Sequence, residues 1–272
     1  MTNLPIGLQL YSVRDDMQKD FAGTLRKIKE MGYDAVEFAG IFDNSASQVK
    51  ALCEEIGLIP VSAHVGLPLM AADIESEVKT YAQIGCKFIV IPWSDATNLP
   101  GGADYDKFLA DIKKYAAIMR EYGIKLCYHN HDFEFEKIDG KNKLDILYAD
   151  TDPADLQTQI DTCWARVGGE DPAEYVKKYA GRAPTVHIKD YFGSKSANMY
   201  DLIDGGEVEA GEESDVSFEL RPVGHGVQDV ASIIAAAETA GAGFVIVEQD
   251  NPSLDKTPLE CAKMSIDYIR SL

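Results

Sequence analysis

Residues 20–38 read DFAGTLRKIKEMGYDAVEF, and this stretch decides the fold. Phe21, Leu25 and Ile28 recur at helical spacing and form one apolar stripe. Gly32 follows, in the place where a left-handed residue closes a helix. Ala35-Val36-Glu37-Phe38 is then a short apolar run suited to a strand. The same unit recurs. Ser47–Ile56 ends at Gly57, Ile74–Ile84 at Gly85, Tyr105–Tyr122 at Gly123 and Val230–Ala240 at Gly241, and a strand-like run follows each within a few residues.

Working outward from this unit, strands are predicted near Ile6–Gln9, Ala35–Phe38, Pro60–His64, Phe88–Ile91, Lys125–His129, Gln157–Asp161, Thr185–Lys189 and Phe244–Glu248. Most are unbroken apolar runs, as expected of strands covered by helices. Eight units in 272 residues leave about 34 residues each, a normal βα spacing. A doubly wound open sheet is the rival, but it often carries a Gly-rich turn after its first strand. Here Leu10-Tyr11-Ser12-Val13-Arg14 follows instead. The expected fold class is α/β, a (β/α)8 TIM barrel forming one domain over residues 1–272.

Two stretches break the rhythm. Phe133–Leu144, with its Asp139-Gly140 turn, reads as a hairpin insertion. Residues 191–226 form a long loop holding Gly205-Gly206 and the acidic run Glu207–Asp215. Both follow strand C-termini, the face where barrel enzymes keep their sites. The long loop is expected to cover the site or to meet a neighbouring subunit of a homo-oligomer.

The formal charge of −19 argues against nucleic acid and against acidic membrane surfaces. No apolar run approaches the roughly 20 residues of a membrane span. The opening MTNLPIG does not read as a secretion signal. Cys53, Cys86, Cys127, Cys163 and Cys261 include no C-x-x-C pair, so they read as free buried thiols in a reducing cytoplasm.

The informative residues are polar ones at the ends of apolar strands, where an ionisable group is costly unless paired or metal-bound. They are Gln9, Glu37, His64, His129-Asn130-His131 with Glu134 beyond, Asp161, His187, Lys189 and Glu248. Glu134, Asp161, His187 and Glu248 come from four successive barrel positions. Three carboxylates in one mouth repel, and a divalent cation resolves the repulsion. Oxygen-rich ligation with one His suits Mn²⁺, Mg²⁺ or Co²⁺ better than a thiolate-type zinc site, while Zn²⁺ remains among the candidate ions.

The segments GLQLYSVR (7–14), AVEFAG (35–40), SAHVG (62–66), YHNHDFEF (128–135), LQTQIDTCW (156–164), TVHIKD (185–190), RPVGHG (221–226) and VIVEQD (245–250) occur in order over nearly the whole chain. Together they resemble the sugar phosphate isomerase/epimerase group of the xylose-isomerase-like barrels. The resemblance implies one divalent metal held by a Glu on strand five, an Asp, a His and a Glu. The last three fall on Asp161, His187 and Glu248. For strand five, Glu134 is the favoured ligand and His129 the rival. The resemblance also implies substrate-facing roles for Gln9, Glu37, His64, Trp93 and Lys189, with Lys189 also a catalytic candidate; His129 and Arg221 join them as candidate substrate contacts. His225 departs from the G-E-G common at that turn and reads as structural.

The implied chemistry is proton abstraction beside the carbonyl of a keto sugar or related polyol, as in a metal-dependent isomerase or epimerase. In such epimerases two Glu residues shuttle the proton, which points to Glu248 and Glu134. The histidines of HNH make His131 an alternative base and raise a second reading, a lyase or dehydratase performing β-elimination on a 3-keto sugar or glycoside. Abasic-site cleavage and a non-catalytic subunit role rank below these. Basic residues near strand ends are few (Arg14, Lys189, Arg221), so a neutral substrate is expected rather than a phosphorylated one.

Overall fold

The computed structural model describes residues 2–195, 199 and 218–272. Eight parallel strands close into a barrel: β1 (Ile6–Gln9), β2 (Ala35–Phe38), β3 (Ile59–His64), β4 (Phe88–Ile91), β5 (Lys125–His129), β6 (Gln157–Asp161), β7 (Thr185–Ile188) and β8 (Phe244–Val247). Each pairs with its sequence neighbours, and β8 returns to β1 with Ile6 opposite Val245. Apolar side chains fill both faces of the strands. One set packs against the surrounding helices in the main core. A smaller set, Ala35, Val61, Phe88, Val90, Cys127, Phe244 and Ile246, fills the inside of the barrel. Gly7 makes room there, because a Cβ at this position would lie 2.7 Å from Ile246 Cδ1. Cutting Ile246 to Ala would cost roughly 2–5 kcal/mol.

The helices end where their glycines require. Gly32, Gly57, Gly85 and Gly241 all close a helix at positive φ. One helix is longer than the sequence suggests. It spans Leu67–Ile84 with a break at Asp73 (φ −158°), whose carboxylate accepts from Ser76 N and so caps the second half.

Two features shape the mouth. The β2–β3 pairing shifts register between Val36 and Glu37, which sets Val36 opposite Pro60 and Glu37 opposite Ser62, so Val61 is the extra residue. The polar ends of β2 and β3 are thereby brought side by side. Within the stretch read as a hairpin, only Lys137–Ile138 and Lys141–Asn142 pair, across Asp139-Gly140 with both turn residues at positive φ. Phe133–Phe135 is instead a 3₁₀ turn, and Lys143 already opens a helix.

After β7 the chain forms a second ribbon, Asp190–Phe192 against Glu219–Arg221. The Gly205-Gly206 pair, the acidic run Glu207–Asp215 and the lid expected of them lie outside the described residues. The ribbon is tied down by buried Asp190, whose carboxylate accepts from the backbone N–H groups of Tyr191, Gly224, Gly226 and Gln228 at 2.9–3.1 Å. A Cβ on Gly226 would lie 2.2 Å from Asp190 Oδ1, which explains the glycine at the end of the GHG turn. All five cysteines are free and buried. Among the described residues, no helix is long and apolar enough to cross a membrane.

Candidate active site

Above the apolar plug the barrel carries a polar layer centred on Glu37, which is fully buried. Its Oε1 accepts from Gln9 Nε2 and His187 Nε2, both at 2.7 Å, and lies 2.9 Å from His64 Nε2. Its Oε2 accepts from Ser62 Oγ at 2.5 Å and from Gln159 Nε2 at 2.7 Å. Every neighbour is a donor, as an ionised carboxylate requires. Burial pushes Glu37 up, but His64 and His187 overcome it and hold the group well below the ordinary carboxylate value.

Next to this hub stand His129, Asp161, His187 and Glu248. One ligand atom from each lies within 4.8 Å of the others, and all four residues are buried. The β6–β7 register, with Asp161 opposite His187, sets the middle pair side by side. Because His187 donates through Nε2 to Glu37, its Nδ1 is the atom that faces Glu248 Oε2, at 3.1 Å. A neutral imidazole would aim a lone pair at a carboxylate there, so the contact calls for a proton or a cation. Burial lowers His187, yet Glu37 and Glu248 together raise it to about 10.

Asp161 makes the same demand. Its Oδ1 caps the following helix by accepting from Trp164 N, while Oδ2 is buried without a hydrogen-bond partner. His129 Nε2 lies 3.8 Å from that oxygen and Lys189 Nζ 3.7 Å. Burial pushes Asp161 up to about 6 against the pull of Lys189. An orphaned carboxylate oxygen beside two imidazoles and a second carboxylate is a donor set that fits a divalent cation.

Of the two strand-five candidates, the structure brings His129 into this group and not Glu134. The 3₁₀ turn of residues 133–135 carries the Glu134 carboxylate away, where it accepts from Tyr128 Oη at 2.7 Å and from His131 N at 2.8 Å. Burial raises Glu134 to about 8, although these two bonds oppose the rise.

A cavity of about 460 Å³ opens over the group. His64, His129, His131, Lys189, Glu248 and Asp250 line its polar side, and Leu69, Pro92 and Trp93 its apolar side. Trp93 is 43% exposed, with ring edges against His131 and Phe133. Burial and the neighbouring Lys189 push His131 down to about 3, so it is a neutral imidazole at physiological pH. Lys189 is almost fully buried, 2.9 Å from both Glu248 Oε2 and Asp250 Oδ2. Burial disfavours its charge, but Asp250, Glu248 and Asp161 hold it well above the ordinary lysine value.

The remaining sequence candidates fall elsewhere. Gln9 and Glu37 lie under the cavity floor, within the hydrogen-bonded layer. Arg221 does not line the cavity: on the ribbon it pairs with Glu219 at 2.8 Å and stacks over Phe192. Sequence reasoning missed Gln159, and also Asp250 and Tyr11, which both line the cavity. Gln159 was within reach, since it stands two residues before Asp161 on the same strand and so shares its face. Asp250 carried the same signal relative to Glu248.

This architecture has relatives. The profile of the xylose isomerase-like TIM barrel family matches residues 25–272. The chain belongs to that family. Within the xylose isomerase-like barrels, it is 26% identical to the inosose dehydratase of Geobacillus kaustophilus over 276 residues, which cover 91% of this chain and 86% of that protein. Its fold is similar to a sugar phosphate isomerase/epimerase from Parabacteroides distasonis (TM-score 0.79, 23% identity, 99% of each chain). It is similar also to the IolI protein solved with a bound zinc atom (TM-score 0.71, 13% identity, 98% of this chain and 97% of that one).

Proposed function

We propose that this barrel is a divalent-metal-dependent lyase that eliminates water, or another β-substituent, from a keto polyol or keto sugar. The observation that carries the reading is the group His129, Asp161, His187 and Glu248 at the floor of the cavity, with its unpartnered Asp161 Oδ2. These four residues would hold the ion. When bound, a divalent ion polarises a carbonyl oxygen and so acidifies the neighbouring C–H.

The chain's own residues supply the rest. His131 lines the cavity and stands outside the four-residue group, and this placement makes it the group that takes the α-proton. Lys189, held as an ammonium by its carboxylates, donates to the departing oxygen, which leaves as water or as an alcohol. Trp93 offers an apolar face to the ring. The dehydratase name of the Geobacillus relative supports the same outcome.

Isomerisation or epimerisation by the same proton abstraction is the second reading, supported by the name of the Parabacteroides structure. A two-Glu proton shuttle, however, needs Glu134 beside Glu248, and Glu134 is engaged by Tyr128 and His131 instead. That placement favours elimination.

The test is turnover of an inosose and of 3-keto glucosides by protein reconstituted with Mn²⁺, Co²⁺ or Zn²⁺ in D₂O. Loss of water or aglycone, abolished by chelation, is expected. Metal-dependent formation of an epimer or isomer with no elimination would transfer the assignment to the second reading. No turnover with any ion would remove both.

A further inference from the structure

Gln159 lies on β6, fully buried, one strand position below the cavity floor. Its side chain touches four groups. Nε2 donates to Glu37 Oε2 at 2.7 Å and to Thr185 Oγ1 at 3.0 Å. Oε1 lies 2.8 Å from His64 Nε2 and 3.2 Å from His129 Nδ1. The orientation of the amide follows from Glu37. Both oxygens of that carboxylate are ringed by donors, so only the NH₂ end of Gln159 can face it. The carbonyl end must then point at the two histidines, and a carbonyl accepts. His129 therefore donates through Nδ1–H, and its lone pair is on Nε2, the nitrogen that faces Asp161 Oδ2.

We propose that Gln159 is the positioning residue that fixes the His129 tautomer, so that His129 presents Nε2 to the metal position in place of the carboxylate expected on strand five. The functional consequence rests on the metal reading above. The tautomer itself does not. Glu37 does the same for His187 by accepting from Nε2 and leaving Nδ1 toward Glu248. Two imidazoles from neighbouring regions of the barrel are thus oriented through one Glu–Gln pair. A hydrogen bond to the outer nitrogen of a ligating imidazole sets the ring's tautomer and angle, and its loss typically weakens metal binding about 10–100-fold.

Side-chain ¹⁵N NMR of the metal-free, histidine-labelled protein at pH 8 decides the tautomer. A protonated Nδ1 and an unprotonated Nε2 are expected for His129, with the assignment made by loss of the signal in His129→Gln. A protonated Nε2 on His129 overturns the proposal whether or not the protein binds metal. Two variants then test the consequence by titration with Zn²⁺ and with Mn²⁺. Gln159→Leu, which has no acceptor, should bind about 10–100-fold more weakly. Gln159→Glu keeps an acceptor toward His129 and should recover at least part of that loss. Equal affinity of Gln159→Leu and the parent, with an unchanged His129 spectrum, overturns the positioning role. If Gln159→Leu does not fold, the spectrum of the parent and the affinity of Gln159→Glu still decide it: a protonated Nε2, or a Gln159→Glu affinity more than about 100-fold below the parent, counts against the role.

Discussion

Lys189 Nζ lies 2.9 Å from Glu248 Oε2, and both residues follow adjacent barrel strands. The same nitrogen serves Asp250 at 2.9 Å and stands 3.7 Å from Asp161. One buried ammonium therefore offsets three buried carboxylates. Removing one partner from such a buried set typically costs about 3–5 kcal/mol. Lys189→Met should lose stability on that scale when metal-free and recover part of it on adding Mn²⁺ or Zn²⁺. Urea denaturation with and without the ion checks this, and a variant indifferent to metal would break the link between Lys189 and the cluster.

Asp161→Ala and His187→Ala should each lose the ion. For the parent protein, an ion at 100 times its dissociation constant adds about 2.7 kcal/mol of stability. Chelator should therefore lower the parent's melting temperature and leave the two variants unmoved. Elemental analysis showing parent-level metal in either variant would reassign the ligands.

If the proposed site is right, Glu134→Gln should keep the metal, because the candidate group contains His129 and not Glu134. The same substitution should change the pH profile of stability. Burial raises Glu134 in the folded protein from 4.5 to about 8. A raised folded value means the protonated form is favoured on folding. That contribution is complete below about pH 4.5 and is lost as pH rises through about 8. Its slope is at most about 1.4 kcal/mol per pH unit. Measured from pH 5 to pH 8, the stability of the parent relative to Glu134→Gln should fall. A constant difference would show that Glu134 is already ionised at pH 5.

Trp93→Ala should leave stability within about 1 kcal/mol, since the ring is 43% exposed. Its effect should fall on substrate binding, with KM raised about tenfold and kcat moved less, a change of about 1.4 kcal/mol. Steady-state kinetics separate the two, and an unchanged KM would exclude the ring from the substrate's surroundings.

Asp190→Ala should be strongly damaging although Asp190 lies outside the cavity lining. Four backbone N–H groups lose one acceptor. Each buried donor left unpaired costs about 1–3 kcal/mol, so a loss of several kcal/mol is expected. Asp190→Asn, which keeps one acceptor oxygen, should lose less. Equal stability of the two would show that water replaces the carboxylate.

The barrel was legible because its strands are covered on both faces. Most such strands read as apolar runs, and β1, β2, β4, β5 and β6 fall on the residues expected, although β6 (QTQID) is largely polar. Asp161, His187 and Glu248 were legible for the related reason that a charge ending an apolar strand has few uses. The strand-five position was not. Whether Glu134 reaches the mouth depends on the 3₁₀ turn of residues 133–135, whose direction has no periodic signature. Gln159 was also missed: its place two residues before Asp161 put it on the same face, but what a neutral amide does there depends on four partners that only the fold brings together. Arg221, expected at the substrate, pairs with Glu219 and stacks over Phe192 within the ribbon.

The pairing of Ile6 with Val245 has a meaning for how the protein is made. On the ribosome β1 emerges early and β8 late, so β1 waits with an open edge while most of the barrel is synthesised. Glu248, which completes the cluster, follows β8 and arrives with the strand that closes the ring. An ion bound at the proposed site would then stabilise only the finished barrel, not a partial one. A nascent chain arrested before residue 244 should depend on chaperones, and adding metal should not release it from them.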